Sequence, residues 1–298
     1  MDNEFLTEVK ELVAEPAAGP RLSDLVNARA GQLIVRLTGD EFDVAAPPSN
    51  DGVIDRLDHY VILTADLARA VALGTRWSGE AVRPIWPSVI ERVVEAVDRA
   101  HGQAMWTDLS LYPGVLLLYA SGIGALAVGR YETLRAVLFE PRLNFHSRWQ
   151  SAVERLYPAA VLDDRQAARV PGLPKTFAPL SDRAAADVRP LMADIVPDDR
   201  AFARLFDRFE YLFGLIYVDV TKNGWGPTGR FVADQYGTGI DQVIEAEIAE
   251  AGASWAPLRC GLFGGSAERL GESLNRWRMH VQAVRNQARW HSVRGPEL

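Results

Sequence analysis

LSLYPGVLLLYASGIGALAVG, residues 109–129, runs for 21 residues without a charged side chain. Its length alone would let a helix cross a bilayer. Pro113 and the glycines at 114, 122, 124 and 129 interrupt the run, and the chain holds no second stretch like it. The small residues Ser121-Gly122-Ile123-Gly124-Ala125 point to another role. A helix apolar on every side is a core helix, and residues without bulk let its neighbours come close. The stretch therefore predicts a buried central helix in a protein made of helices.

The flanking sequence agrees. Phe5, Leu6, Val9, Leu12 and Val13 fall on one helical stripe, stopped by Pro16 and Gly19-Pro20. Ser23 is placed to cap a second helix that ends at Gly39. Asp51 opens a long helix with a stripe through Val53, Ile54, Leu57, Val61, Leu67, Ala68 and Val71, and Gly74 is read as its end. Ser88 and Glu91 have the spacing of a capping box ahead of Val89, Ile90, Val93, Val94 and Val97. Asp198-Asp199 precede the most aromatic helix of the chain, with Phe202, Phe206, Phe209 and Phe213, and its second half is apolar all round. Residues 223–239 read as a Gly-rich loop, and Ser266 caps a last long helix.

No series of strands is visible. Only short runs such as Arg230-Phe231-Val232 have strand-like composition. The expected fold is all-α: about a dozen helices in stacked antiparallel hairpins, a tetratricopeptide-like α-α superhelix with little or no sheet. Pro171, Gly172, Pro174 and Pro179 break the segment 163–181. It is read as a linker between an N-terminal half (1–165) and a C-terminal half (180–298), or as a surface loop of one continuous domain.

Composition excludes several classes. Apolar residues make up 48% of the chain against a net charge of only −7, which rules out disorder as the dominant state. Cys260 is the single cysteine, so a disulfide scaffold and a cysteine-based zinc site are excluded. One cysteine fits a reducing compartment, and MDNEFLTEVKEL has neither a basic nor an apolar signal region. The expectation is a cytoplasmic protein. There is no Walker loop, no G-x-S-x-G elbow and no H-E-x-x-H. No two histidines are spaced i, i+3 or i+4, and His280 and His291 would stand about 16 Å apart on one helix. Neither a metal nor a cofactor is expected.

Two carboxylates are candidates for acid–base chemistry. Glu210 lies among Phe209, Tyr211 and Phe213, and Asp219 follows Tyr217-Val218. Burial there would raise their pKa values, whereas an Arg204 or Arg208 partner would make them structural. Asp241, Glu245, Glu247 and Glu250 read as a solvated acidic helix face.

The C-terminus shows a charge asymmetry. Residues 273–296 hold Arg276, Arg278, Arg285, Arg289 and Arg294 and no acid, so +5 sits against −12 on the remainder. Leu274, Trp277, Val281, Val284 and Ala288 give this basic segment an apolar stripe. Three readings compete. The helix docks on its own acidic chain, binds an acidic partner protein, or touches nucleic acid through its arginines and Trp290. Trp225, Tyr236 and Trp255 are further contact candidates, since tryptophan and tyrosine anchor interfaces. The alternative is that they pack a Gly-rich loop onto the core.

Gly129-Arg130-Tyr131-Glu132-Thr133-Leu134 resembles the turn between the two helices of a tetratricopeptide repeat, with Leu134 where that family has alanine. No second copy at the 34-residue period is present. More widely, LYPGVLLLYASGIGALAVGRYETL, DDRAFARLFDRFEYLFGLIYVD and WAPLRCGLFGGSAERL are similar to a helical region of actinobacterial multidomain proteins. In those proteins it accompanies TIR, sirtuin-like or NTPase domains in signalling and antiviral defence. The resemblance implies a regulatory, sensing or assembly module with a protein partner or a fused effector domain, and it carries over no site residues. The expectation is a non-catalytic, membrane-free interaction module. An enzyme with a composite site between helical halves and a nucleic-acid-contacting protein stand as the alternatives.

Overall fold

A computed structural model describes residues 2–15, 17–45, 47–98, 102–145, 147–233 and 237–294, with side chains through residue 287. The order is α1 (Asn3–Ala14), α2 (Gly19–Leu37), α3 (Asn50–Trp77), α4 (Ile85–Val97), α5 (Ala104–Leu109), α6 (Tyr112–Leu126), α7 (Tyr131–Phe139) and a hairpin of β1 (Arg142–Phe145) with β2 (Arg148–Ser151). Then come α8 (Ala152–Arg155), α9 (Pro158–Val161), α10 (Asp164–Ala167), α11 (Pro179–Leu191), α12 (Asp199–Thr221), α13 (Ile240–Ala251), α14 (Ala256–Arg259) and α15 (Ala267–Arg294). The fold is all-α with one small antiparallel ribbon, in which Arg142 pairs with Ser151 and Phe145 with Arg148.

The stretch 109–129 forms the centre. Every residue of α6 is buried. A Cβ at Gly124 would stand 2.5 Å from the Ala72 carbonyl of α3, and one at Gly122 would stand 2.1 Å from the Phe209 ring of α12. The two glycines therefore let α3 and α12 pack on different sides of the same helix. Among the described residues one span, Ala104–Leu126, is long and apolar enough to cross a membrane, and its most apolar 18 residues are buried inside the protein. A single connected apolar core runs from Phe5 of α1 to Val281 of α15.

The structure moves several boundaries. α2 begins at Gly19 with Pro20 in its first turn, ahead of Ser23, because proline at that position loses no hydrogen bond. α3 is capped by Ser49, whose Oγ accepts from Gly52 N at 3.1 Å, and it runs through Gly74 to Trp77. Gly74 is interior because the Trp86 indole lies where its side chain would be. α4 starts at Ile85, so Ser88 and Glu91 lie inside it, and Glu91 instead accepts from Arg142 N at 2.6 Å. A capping box does occur at Ser151 and Glu154, where α8 begins. The segment 163–181 contains α10, and residues 230–233 form a 3-10 turn instead of a strand.

α12 follows the sequence closely. Asp198 accepts from Ala201 N at 2.7 Å, and the helix closes on Lys222 in a left-handed conformation. From Phe206 to Asp219 only Arg208 escapes full burial, since α12 is enclosed by α6, α8, α13 and α15.

Candidate functional site

The chemistry-bearing residues of the C-terminal half gather at three places along α12. At the first, Glu210 is 3% exposed. Its Oε1 accepts from Ser181 Oγ (2.7 Å) and Tyr119 OH (3.3 Å), and its Oε2 accepts from Arg230 N (3.1 Å). The main chain of Gly229 lies directly against the carboxyl group. Burial pushes the Glu210 pKa up to about 8. One turn earlier, Asp207 Oδ1 accepts from Arg230 Nε at 2.9 Å, and its Oδ2 accepts from Thr238 Oγ1 at 2.8 Å. Two buried carboxylates thus fasten Arg230 and Thr238 onto α12. Glu210 also faces a cavity of about 20 Å³, shared with Asp164, whose pKa burial raises to about 6. That space holds about one water molecule.

At the second place, Asp219 is equally buried but fully engaged. It accepts from Arg269 Nε and Nη2 (both 2.6 Å), Ser273 Oγ (3.0 Å) and Lys222 Nζ (3.0 Å). Burial alone would raise its pKa, but these donors outweigh it and the net shift is downward. Both oxygens are committed to holding the first turns of α15, so Asp219 is a positioning group. Asp219→Asn is expected to lower the unfolding free energy by about 1–3 kcal/mol in urea titration at pH 7, because the arginine fork would lose its charged partner.

The third place is open to solvent. α13 and α15 flank a groove of about 640 Å³. Tyr211 of α12 lies buried beneath it, with Trp277 and Val281 of α15. Two ion pairs join the walls: Arg278 Nη2 to Glu245 Oε2 at 2.8 Å, and Arg285 Nη1 to Asp241 Oδ2 at 2.6 Å. Tyr211 OH also donates to Glu245 Oε1 at 3.1 Å, and Arg285 Nε donates to the Val232 carbonyl at 3.1 Å. Arg285 outweighs the burial of Asp241 and brings that carboxyl below its ordinary range. Met279, 68% exposed, forms the lip. Next to Trp277, a ring nitrogen of His280 bonds the Gly226 carbonyl at 2.8 Å, and burial lowers the pKa of this imidazole.

The arrangement corrects one expectation and refines others. The acidic face of α13 is not simply solvated: Asp241, Glu245 and Glu247 each hold an arginine, Glu247 taking Arg208 at 2.6 and 2.7 Å. Glu210 has neither Arg204 nor Arg208 as its partner. Of the basic helix, Arg276 stands 3.9 Å from Glu272 and donates to Ser273 Oγ at 3.3 Å, while Arg278 and Arg285 reach α13. The described part of α15 thus docks on its own chain. Trp225 is 45% exposed, with its ring against Tyr157, Tyr217 and His280. Trp255 is buried and stacked on Phe263, so it takes the core-packing alternative. Tyr236 and the side chains of Arg289 and Trp290 lie outside the described residues. Among the described residues, no group of three or more His, Cys, Asp or Glu side chains is placed to hold a metal ion.

Sequence reading missed the groove because Tyr211, buried beneath it, belongs to a different helix from either wall. One signal was available: Asp241 and Glu245 share a face of one helix, and Arg278 and Arg285 share a face of another.

Compared with family models, curated proteins and solved structures, the chain matches none.

Proposed function

We propose that this chain is a non-catalytic recognition module whose binding site is the groove between α13 and α15. One observation carries the reading. A concavity of about 640 Å³ between two helices, with Met279 and a few fixed charges at its rim above a buried aromatic layer, has the volume of a ligand pocket. The rim arginines are held in place by carboxylates before any ligand arrives, which reduces the entropy lost on binding. The module acts in the cytoplasm as the sensing or interaction part of a signalling or defence assembly, passing occupancy of the groove to a protein partner or fused effector domain. The likeness to helical regions of multidomain signalling proteins supports this part.

The competing readings have less behind them. A composite acid–base site at Glu210 has room for water only. A nucleic-acid face on α15 would use Arg278 and Arg285, which are already tied to Glu245 and Asp241.

The test is fluorescence titration with 8-anilinonaphthalene-1-sulfonate. One equivalent is expected to bind with enhanced emission. Ala283→Trp, which fills the groove from an exposed position, is expected to weaken binding at least tenfold while the circular dichroism spectrum stays the same. Binding that ignores this substitution would place the site elsewhere and defeat the proposal.

A further inference from the structure

We propose that Asn223 is a self-modification site: the main-chain nitrogen of Gly224 attacks its side-chain amide, and the folded protein converts the residue to aspartate and isoaspartate. The proposal is independent of the groove. The chain has asparagines at 3, 27, 50, 144, 223, 275 and 286. All but Asn223 lie in helices or in β1, where regular geometry fixes the main chain. Asn223 follows Lys222, the left-handed residue that closes α12, and it lies outside regular structure. It is also the one asparagine followed by glycine.

The site is open where the reaction needs it open. Asn223 and Gly224 are both exposed. Neither the Asn223 side-chain amide nor the Gly224 N–H has a hydrogen-bond partner among the described residues; Asn223 uses only its own N–H, on Thr221 Oγ1 at 3.4 Å. Gly224 carries no side chain to keep its nitrogen off the neighbouring amide, and nothing lies within 4 Å of the position its Cβ would take. Asp51-Gly52 is the contrasting case. There the glycine nitrogen is held in the first turn of α3, donating to Ser49 Oγ at 3.1 Å.

Water is the only co-reactant. Gly224 N gives up its proton to solvent base and forms a bond to Asn223 Cγ. The Cγ–Nδ2 bond breaks, and Nδ2 takes a proton back and leaves as ammonia. The cyclic imide then adds one water. Cleavage between Gly224 N and Cγ restores the main chain with an aspartate. Cleavage between Gly224 N and the Asn223 carbonyl carbon leaves the chain running through Cγ, as isoaspartate. Nothing is oxidised or reduced. Either product puts a carboxylate where a neutral amide stood. Asn223 shares an open hollow with Tyr217, Thr221 and Arg148, and Arg148 is an exposed cation with no ion pair among the described residues. Modification thus adds an acid beside an unpaired arginine, where α12 meets β2.

The experiment is peptide mapping of the full chain after incubation at pH 7 and pH 9, folded and in urea. The folded chain is expected to yield both aspartate and isoaspartate at 223, faster at the higher pH. Its rate is expected to fall within fivefold of the rate in urea, while Asn27 and Asn275 stay intact in their helices. Gly224→Ala is expected to slow conversion at least tenfold without moving the urea midpoint, because the methyl hinders the nitrogen and meets no neighbour. A folded rate more than fivefold below the urea rate would show that the fold protects Asn223, and would overturn the proposal. Aspartate without isoaspartate, the mark of direct hydrolysis, would overturn it too. So would a Gly224→Ala chain that converts as fast as the parent, since attack by the nitrogen would not then set the rate.

Discussion

Between pH 5 and pH 8 the unfolding free energy is expected to fall by about 2–4 kcal/mol, and Glu210→Gln is expected to remove most of that fall. The sign follows from linkage. In the unfolded chain the Glu210 carboxyl loses its proton near 4.5, and in the folded chain burial holds the proton until about 8. Between those values the folded state binds one proton more than the unfolded state, so each rise in pH favours unfolding. The contribution is fully present below 4.5 and is lost by the time the pH passes 8. Asp164, raised by burial to about 6, adds a smaller fall of the same sign over the lower part of that window. Asp219, Asp241 and Glu247 are shifted downward and act only at more acid pH, where stability is lost as their ion pairs protonate. Glutamine keeps an oxygen for Ser181 or Arg230 and cannot ionise. Urea titrations at pH 5, 6.5 and 8 check the point: equal slopes in the two proteins would show that Glu210 is ionised in the fold at neutral pH.

Gly74→Ala is expected to destabilise by about 2–3 kcal/mol, although alanine is ordinarily the better helix former by about 1 kcal/mol. The added methyl would stand 1.9 Å from Cζ2 of Trp86. The indole has little freedom to retreat, because it is wholly buried and its Nε1 donates to Ser78 Oγ at 2.9 Å. Gly271→Ala supplies the opposite sign. Gly271 is also interior to a helix, α15, and nothing lies within 4 Å of the position its Cβ would take. Ordinary propensity then governs, and a gain of about 0.5–1 kcal/mol is expected. Urea midpoints of the two variants moving in the same direction would mean that the Trp86 contact does not decide the first case.

The same pair shows how far residue patterns reach. Gly74 and Gly271 both lie inside helices, and their sequence neighbours do not show that one meets a ring and the other open space. Helix periodicity was legible because burying a face repeats every 3.6 residues and leaves its mark locally. The caps at Asp198 and Ser266 were legible for the same reason: their partners lie three residues away. Gly74 was misread as a helix end because its reason for being glycine, the Trp86 ring, sits on another helix. The β1–β2 ribbon escaped notice because four residues per strand are too few to display an alternation.

The site divides in the same way. Glu210 and Asp219 stood out as carboxylates among aromatics, and both are buried, yet their neighbours in sequence do not separate them. Burial dominates at Glu210, whereas at Asp219 two cationic side chains outweigh it. The groove carried the weakest local signal of all, since its walls and the layer beneath them come from three helices.

Residue pattern alone showed that this protein is helical, that residues 109–129 form its buried centre, and that residues 273–296 carry the pattern of a basic amphipathic helix. Those properties come from side chains acting on neighbours within one or two turns. Which carboxylate meets which arginine, which glycine makes room for a ring, and where a cavity is left open were settled by the packing of distant segments. Such outcomes depend on distances between segments far apart in the chain, fixed when α3, α6, α12 and α15 pack into one core.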